Sequence, residues 1–160
     1  MQVRGDDPFK GILMGRTVIV GVGNVLHGDD GLGPALAARL RGRSAAVCID
    51  AGASPENSLR AIARERPDTV LFVDAVSMDG APGDWALLGP GELPRSCTST
   101  HDIPIGMLAE LLARDTGAGV FVLGVQPRDL TPGAGLSPEV EGALGRLEQL
   151  IREAAGESAP

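Results

Sequence analysis

Val18-Ile-Val-Gly-Val-Gly-Asn-Val-Leu-His-Gly-Asp-Asp-Gly-Leu-Gly-Pro34 reads as a buried strand, a glycine-rich turn with two adjacent acids, and the start of a helix. The β-branched run before Gly21 shows no polar alternation, the pattern of a strand covered on both faces. Helical spacing begins at Leu32 and runs to Leu40, with Pro34 tolerated in the first turn. Strand, turn and helix in that order make the first half of a βαβ unit, and such units build parallel sheets. Asp29 and Asp30 then stand where the carboxyl edge of a sheet opens a crevice.

The rest of the chain repeats the pattern. Ala45 to Ile49 predicts a second strand, ending at Asp50 and the turn Ala51-Gly-Ala-Ser-Pro55. Glu56 to Arg66 sets Leu59, Ile62 and Ala63 on one helical face, and Thr69 to Val73 is a third strand ending at Asp74. Trp85 to Leu88 is a short edge strand, followed by the longest loop, Gly89 to Thr100. Ile103 to Arg114 predicts a helix with Pro104 in its first turn and Asp102 as its cap. Val120 to Val125 is the last strong strand, and Ser137-Pro-Glu139 opens a final amphipathic helix reaching Ala154. The expected fold is α/β and three-layered: a twisted, mostly parallel sheet flanked by helices on both faces. Residues 1–15 read as a polar N-terminal arm, 16–155 as a single domain and 156–160 as a C-terminal tail.

Composition narrows the partners. The 160 residues suffice for one domain, and 43% apolar content supplies a packed core with few aromatics. A net charge of −7 argues against nucleic acid and against an anionic membrane surface, both of which need a basic face. No run approaches the roughly 18 uninterrupted apolar residues of a membrane span, and no signal-peptide pattern opens the chain. Two cysteines make no disulfide framework. A soluble, cytoplasmic, monomeric protein is expected.

Several chemistries lack their residues. The third glycine of a dinucleotide fingerprint would fall at position 26, which is Leu, and paired acids at the helix start would repel a pyrophosphate. No Walker sequence exists, and Lys10 is the chain's lone lysine. Cys97 and His101 find no second Cys/His pair for zinc, because Cys48 lies within an apolar strand. No Gly-x-Ser-x-Gly elbow occurs. What remains are the polar residues at strand ends: Asp30, Asp50, Asp74, and His101 ahead of the helix at Ile103. In a parallel sheet these positions share one edge. Two carboxylates and an imidazole suit a divalent transition metal with open positions, or a carboxylate pair that activates water. Asp30, Asp74 and His101 are the candidate set. Asp29 reads more simply as a helix cap, Asp50 as a turn-builder and His27 as a loop residue bordering the site.

Gly21-Val-Gly-Asn24, Gly28-Asp-Asp-Gly-x-Gly-Pro34, Val73-Asp-Ala75, Thr98-Ser-Thr-His101 and Leu123-Gly-Val-Gln-Pro127 together resemble the maturation endopeptidases of nickel–iron hydrogenases. The likeness runs from about Arg16 to Leu150. The formate-hydrogenlyase-type branch is the most similar, through Asp50-x-Gly-x-x-Pro-Glu-Asn57 and Thr100-His-x-x-Pro104. The resemblance implies an endopeptidase that removes a C-terminal extension from the nickel-loaded precursor of a hydrogenase large subunit. It also implies that Asp30, Asp74 and His101 contact nickel supplied by the substrate, with no permanently bound cofactor. Asp30 and Asp74 would be the catalytic carboxylates, and Gly28, Asp29, Gly31 and Gly52 would border the substrate. Backbone N–H groups of the Gly28–Gly31 turn are candidates for holding an oxyanion. Many relatives carry Asp-Gly-Gly-Thr or Asp-Gly-Gly-Ser after the second strand. Asp50-Ala-Gly-Ala-Ser54 displaces that hydroxyl by one residue while keeping Gly52. The alternatives are a non-proteolytic metal-sensing chaperone or docking module of the same fold, a small nucleotide-binding protein, and a metallopeptidase holding its own ion.

Overall fold

The computed structural model describes residues 7–93 and 103–158. Five strands form one sheet: β1 (Thr17–Val22), β2 (Val47–Gly52), β3 (Thr69–Ala75), β4 (Trp85–Leu88) and β5 (Gly119–Val125). Their spatial order is β2-β1-β3-β5-β4. All neighbours pair in parallel except β4, which runs antiparallel to β5 along the edge. Helices α1 (Leu32–Leu40), α2 (Leu59–Arg64), α3 (Ile105–Thr116) and α4 (Pro138–Ala155) cover the two faces.

Strand alternation sorts the core into two clusters. Ile19, Leu71, Val73, Leu123 and Val125 point to one face, against Leu32, Leu36 and Leu40 of α1 and Val140, Leu144, Leu147 and Ile151 of α4. Val18, Val20, Val22, Val70, Phe72, Val120 and Val122 point to the other, against Ile62 of α2 and Leu108, Ala109 and Leu112 of α3. The central strands β1 and β3 are buried at every residue, which explains their unbroken apolar sequence. This is the three-layer α/β arrangement expected from the sequence.

Connectivity fixes where a ligand can enter. From β1 the chain crosses over α1 to β2 on one side, whereas β3 and β5 build outward on the other side. The direction of winding therefore reverses between β1 and β3, and the connections leaving these two strands part to open a crevice at their carboxyl ends.

Local departures from the expected boundaries have physical causes. β2 extends through Asp50 to Gly52, because β1 continues pairing that far, across a register shift at Gly21/Val22. The expected helix from Glu56 opens instead as a 3-10 turn, Pro55–Ser58, and becomes α-helical at Leu59. Helix α3 begins at Ile105 with Pro104 as its cap residue rather than in its first turn. Proline disfavours helical backbone in the residue before it, here Ile103. Asp102 lies outside the described residues.

The ends of the chain also join the domain. Phe9 and Leu13, from the stretch read as an arm, are buried in the α1/α4 core, and Phe9 stacks on Trp85 with ring centroids 6.0 Å apart. At the other end, Ala45 donates to the Gly156 carbonyl and Ser158 to that of Arg43. Among the described residues no helix is long and apolar enough to cross a membrane.

Candidate active site

The crevice is built on glycines that let backbone segments touch. A Cβ added at Gly33 would lie 2.4 Å from the carbonyl oxygens of both Val22 and Val73, so the start of α1 sits directly on the ends of β1 and β3. Gly23 adopts φ +139, and a Cβ there would meet the Asp30 carbonyl oxygen at 1.8 Å. These contacts press the 3-10 turn Gly28–Gly31 against the carboxyl edge of the sheet, in contact with β3.

Asp30 and Asp74 flank the switch point. Asp30 leaves the β1 side within that turn, and its side chain accepts a hydrogen bond from the Asn24 amide at 2.8 Å. Its own amide donates to the His27 carbonyl, which fixes the turn. Asp74 sits in β3 opposite Gly124, with the same strand parity as Val70 and Phe72, which face α2 and α3. Their exposures are only 3% and 1%, so bulk water has almost no access to either carboxylate. The structure thus brings these two sequence-predicted acids to one edge of the sheet. The third candidate, His101, lies outside the described residues, as does the Thr98–Thr100 motif. Among the described residues no group of three His, Cys, Asp or Glu could hold a metal.

Asp29 departs from its expected place. It makes no side-chain cap on the turn or on α1 and has no solvent exposure. Its carboxylate instead accepts four hydrogen bonds: from the amides of Arg128, Asp129 and Ser137 and from the Ser137 hydroxyl. Burial pushes this carboxyl up, but the Ser137, Arg128 and Asp129 amides with the Ser137 hydroxyl outweigh it and hold the group below its ordinary value. The oxyanion idea narrows likewise, because the Asp29 and Asp30 amides are already bonded to the carbonyls of Asp129 and His27.

The remaining candidates lie in that turn and at the end of β2. Asp50 is exposed and its Oδ1 accepts from the Gly52 amide at 2.9 Å, the turn-building role expected of it. Gly52 adopts φ +58 and passes its carbonyl to the Gly23 amide, tying the end of β2 to the loop after β1. Gly28, Gly31, Asp50, Pro34 and Leu136 border a shallow cleft of about 320 Å³. Exposed Val25, Leu26 and Leu130 stand nearby, with the Leu26 carbonyl accepting from Gly133.

Two contributors were not legible as site residues. The sequence marks Ser137 only as a helix start, yet its amide and hydroxyl both go to Asp29, more than a hundred residues earlier. Gln126 accepts from the Met78 amide at 2.6 Å and so anchors the turn after β3 to the end of β5. No local signal marks such long-range partners.

Fold and site together define a doubly wound α/β protein that presents carboxylates at its switch point. The family model for hydrogenase maturation proteases matches residues 32–154. The hydrogenase 3 maturation protease of Escherichia coli K12 is 38% identical over 113 residues, covering 69% of this chain and 72% of that protein. The crystal structure of a [NiFe] hydrogenase maturation protease HycI from Thermococcus kodakarensis aligns with a TM-score of 0.83 at 30% identity, covering 91% of this chain and 96% of that one. The solution structure of an endopeptidase HycI from Escherichia coli gives 0.79 at 31% identity, covering 91% and 94%. This chain belongs to the hydrogenase maturation protease family and is a peptidase.

Proposed function

We propose that this protein removes a C-terminal extension from the nickel-loaded precursor of a [NiFe] hydrogenase large subunit. It recognises the substrate's nickel through Asp30, Asp74 and His101. The observation that carries the reading is the placement of Asp30 and Asp74, nearly free of water, on either side of one switch point. The parity of Asp74 turns it toward the face that α3 covers, and Ile103 and Ile105 in the same cluster bring the chain in immediately after His101.

The donor set suits the task. Nickel is a borderline ion that accepts imidazole and carboxylate, and a precursor holding it through thiolates leaves positions for both. Capturing the metal docks the precursor's tail in the crevice. One carboxylate then takes a proton from water as that water adds to the scissile carbonyl carbon. The C–N bond breaks and the proton passes to the leaving amine. Gly28, Gly31 and Gly52 supply the rim along which the tail lies.

The test is to mix purified protein with immature large subunit, with and without nickel, and to read the product by mass. Nickel-dependent shortening is expected. Asp30→Asn should lower its rate by about 10²–10⁴-fold, the range for a positioned acid–base group, and His101→Ala should do the same. Normal trimming by either variant refutes the assignment. Binding of the precursor without any shortening would make the protein a docking module.

A further inference from the structure

We propose that Asp29 is a positioning residue for the reaction: its carboxylate latches the Arg128–Ser137 segment onto the turn that presents Asp30. This rests on the peptidase reading and assigns a second, different role within the same acidic pair.

The latch is dense. Oδ2 of Asp29 accepts from the Arg128 amide at 2.8 Å, the Asp129 amide at 3.0 Å and the Ser137 hydroxyl at 2.8 Å. Oδ1 accepts from the Ser137 amide at 2.7 Å. An ionised carboxylate has about four acceptor sites, so this one is filled by the protein. The backbone repeats the link, with the Asp29 amide donating to the Asp129 carbonyl at 2.8 Å and Gly133 to the Leu26 carbonyl at 2.9 Å. Gly28 completes the fit: it adopts φ +54, and a Cβ would lie 2.4 Å from the Asp129 oxygen.

Asp30 is the next residue along the chain. Its carboxylate is held through Asn24, on one flank of the turn, while the turn itself is held through Asp29 on the other. Loosening the Asp29 side moves the reacting carboxylate without touching substrate. Asp29→Asn is the sharp probe, because it keeps the volume but turns one acceptor into an NH₂. At Oδ1 that group faces the Ser137 N–H; at Oδ2 it faces three donors. Either orientation opposes donor to donor.

The experiment compares precursor trimming by wild type, Asp29→Asn and Ser137→Ala, each at a temperature where it is fully folded. Amide hydrogen exchange is read in parallel. For Asp29→Asn, kcat should fall by about 10²-fold, the cost of a misplacement near 1 Å, with KM unchanged within about twofold. The amides of Arg128, Asp129 and Ser137 should exchange faster. Ser137→Ala removes one of the four bonds and should lower kcat by about two- to tenfold. A folded Asp29→Asn variant with wild-type kcat overturns the proposal, as does a raised KM at constant kcat, which marks a substrate contact. Should Asp29→Asn not fold, unchanged kcat in Ser137→Ala overturns it. Wild-type protein that leaves the precursor uncut sinks both this inference and the peptidase reading.

Discussion

Two identical side chains, adjacent in sequence, meet opposite fates in this site. Asp29 is filled by four donors from one distant segment, whereas Asp30 turns toward the end of β1 and keeps company with Asn24. The motif Gly28-Asp-Asp-Gly31 says that acids gather here, but not which one serves the scaffold, since the donors lie about a hundred residues away. The difference is measurable by pH. The carboxyl of Asp29 is held below its ordinary 3.8, so it contributes stability that is fully present above that value. That contribution is lost as pH falls from there through the folded-state value. Asp29→Asn should therefore cost about 1–3 kcal/mol near neutrality, with a gap to wild type that narrows below about pH 4. Urea unfolding midpoints at about pH 6 and pH 3 check this; a gap independent of pH would contradict it.

At the scale of elements, the sequence was clearest where one periodicity ran uninterrupted. β1, β3 and α1 fall within a residue or two of their expected bounds, because a continuous β-branched run and a clean helical stripe each admit one reading. The starts of α2 and α3 shifted where prolines 55 and 104 govern the backbone. β2 lengthened because its partner, not its own composition, decides where pairing ends. The joint between α1 and the sheet carries the site's precision. Gly33→Ala drives a methyl into two strand carbonyls at once, and neither can move without disturbing β1 or β3. A loss of about 3 kcal/mol, the upper end for overpacking, is expected in thermal or urea unfolding. The same variant should trim precursor more slowly, since Asp30 lies three residues upstream.

Across the whole molecule, the layered architecture was readable from alternation alone, but the participation of the chain ends was not. Nothing in the short stretch around Phe9 announces that this ring will stack on Trp85 and join the core beside α4. Phe9→Ala should cost about 3–5 kcal/mol, roughly 10 °C in Tm for a chain of this size. Calorimetry decides; a shift of a degree or so would place the stretch outside the cooperative unit. Finally, the Asp29–Ser137 link spans most of the polypeptide. During synthesis, a nascent chain emerging from the ribosome only as far as β5 has both acids but not the hydroxyl and amides that fill the first of them. Under the latch proposed above, trimming waits on the segment through Ser137, so a copy that ends at β5 would be born blunt.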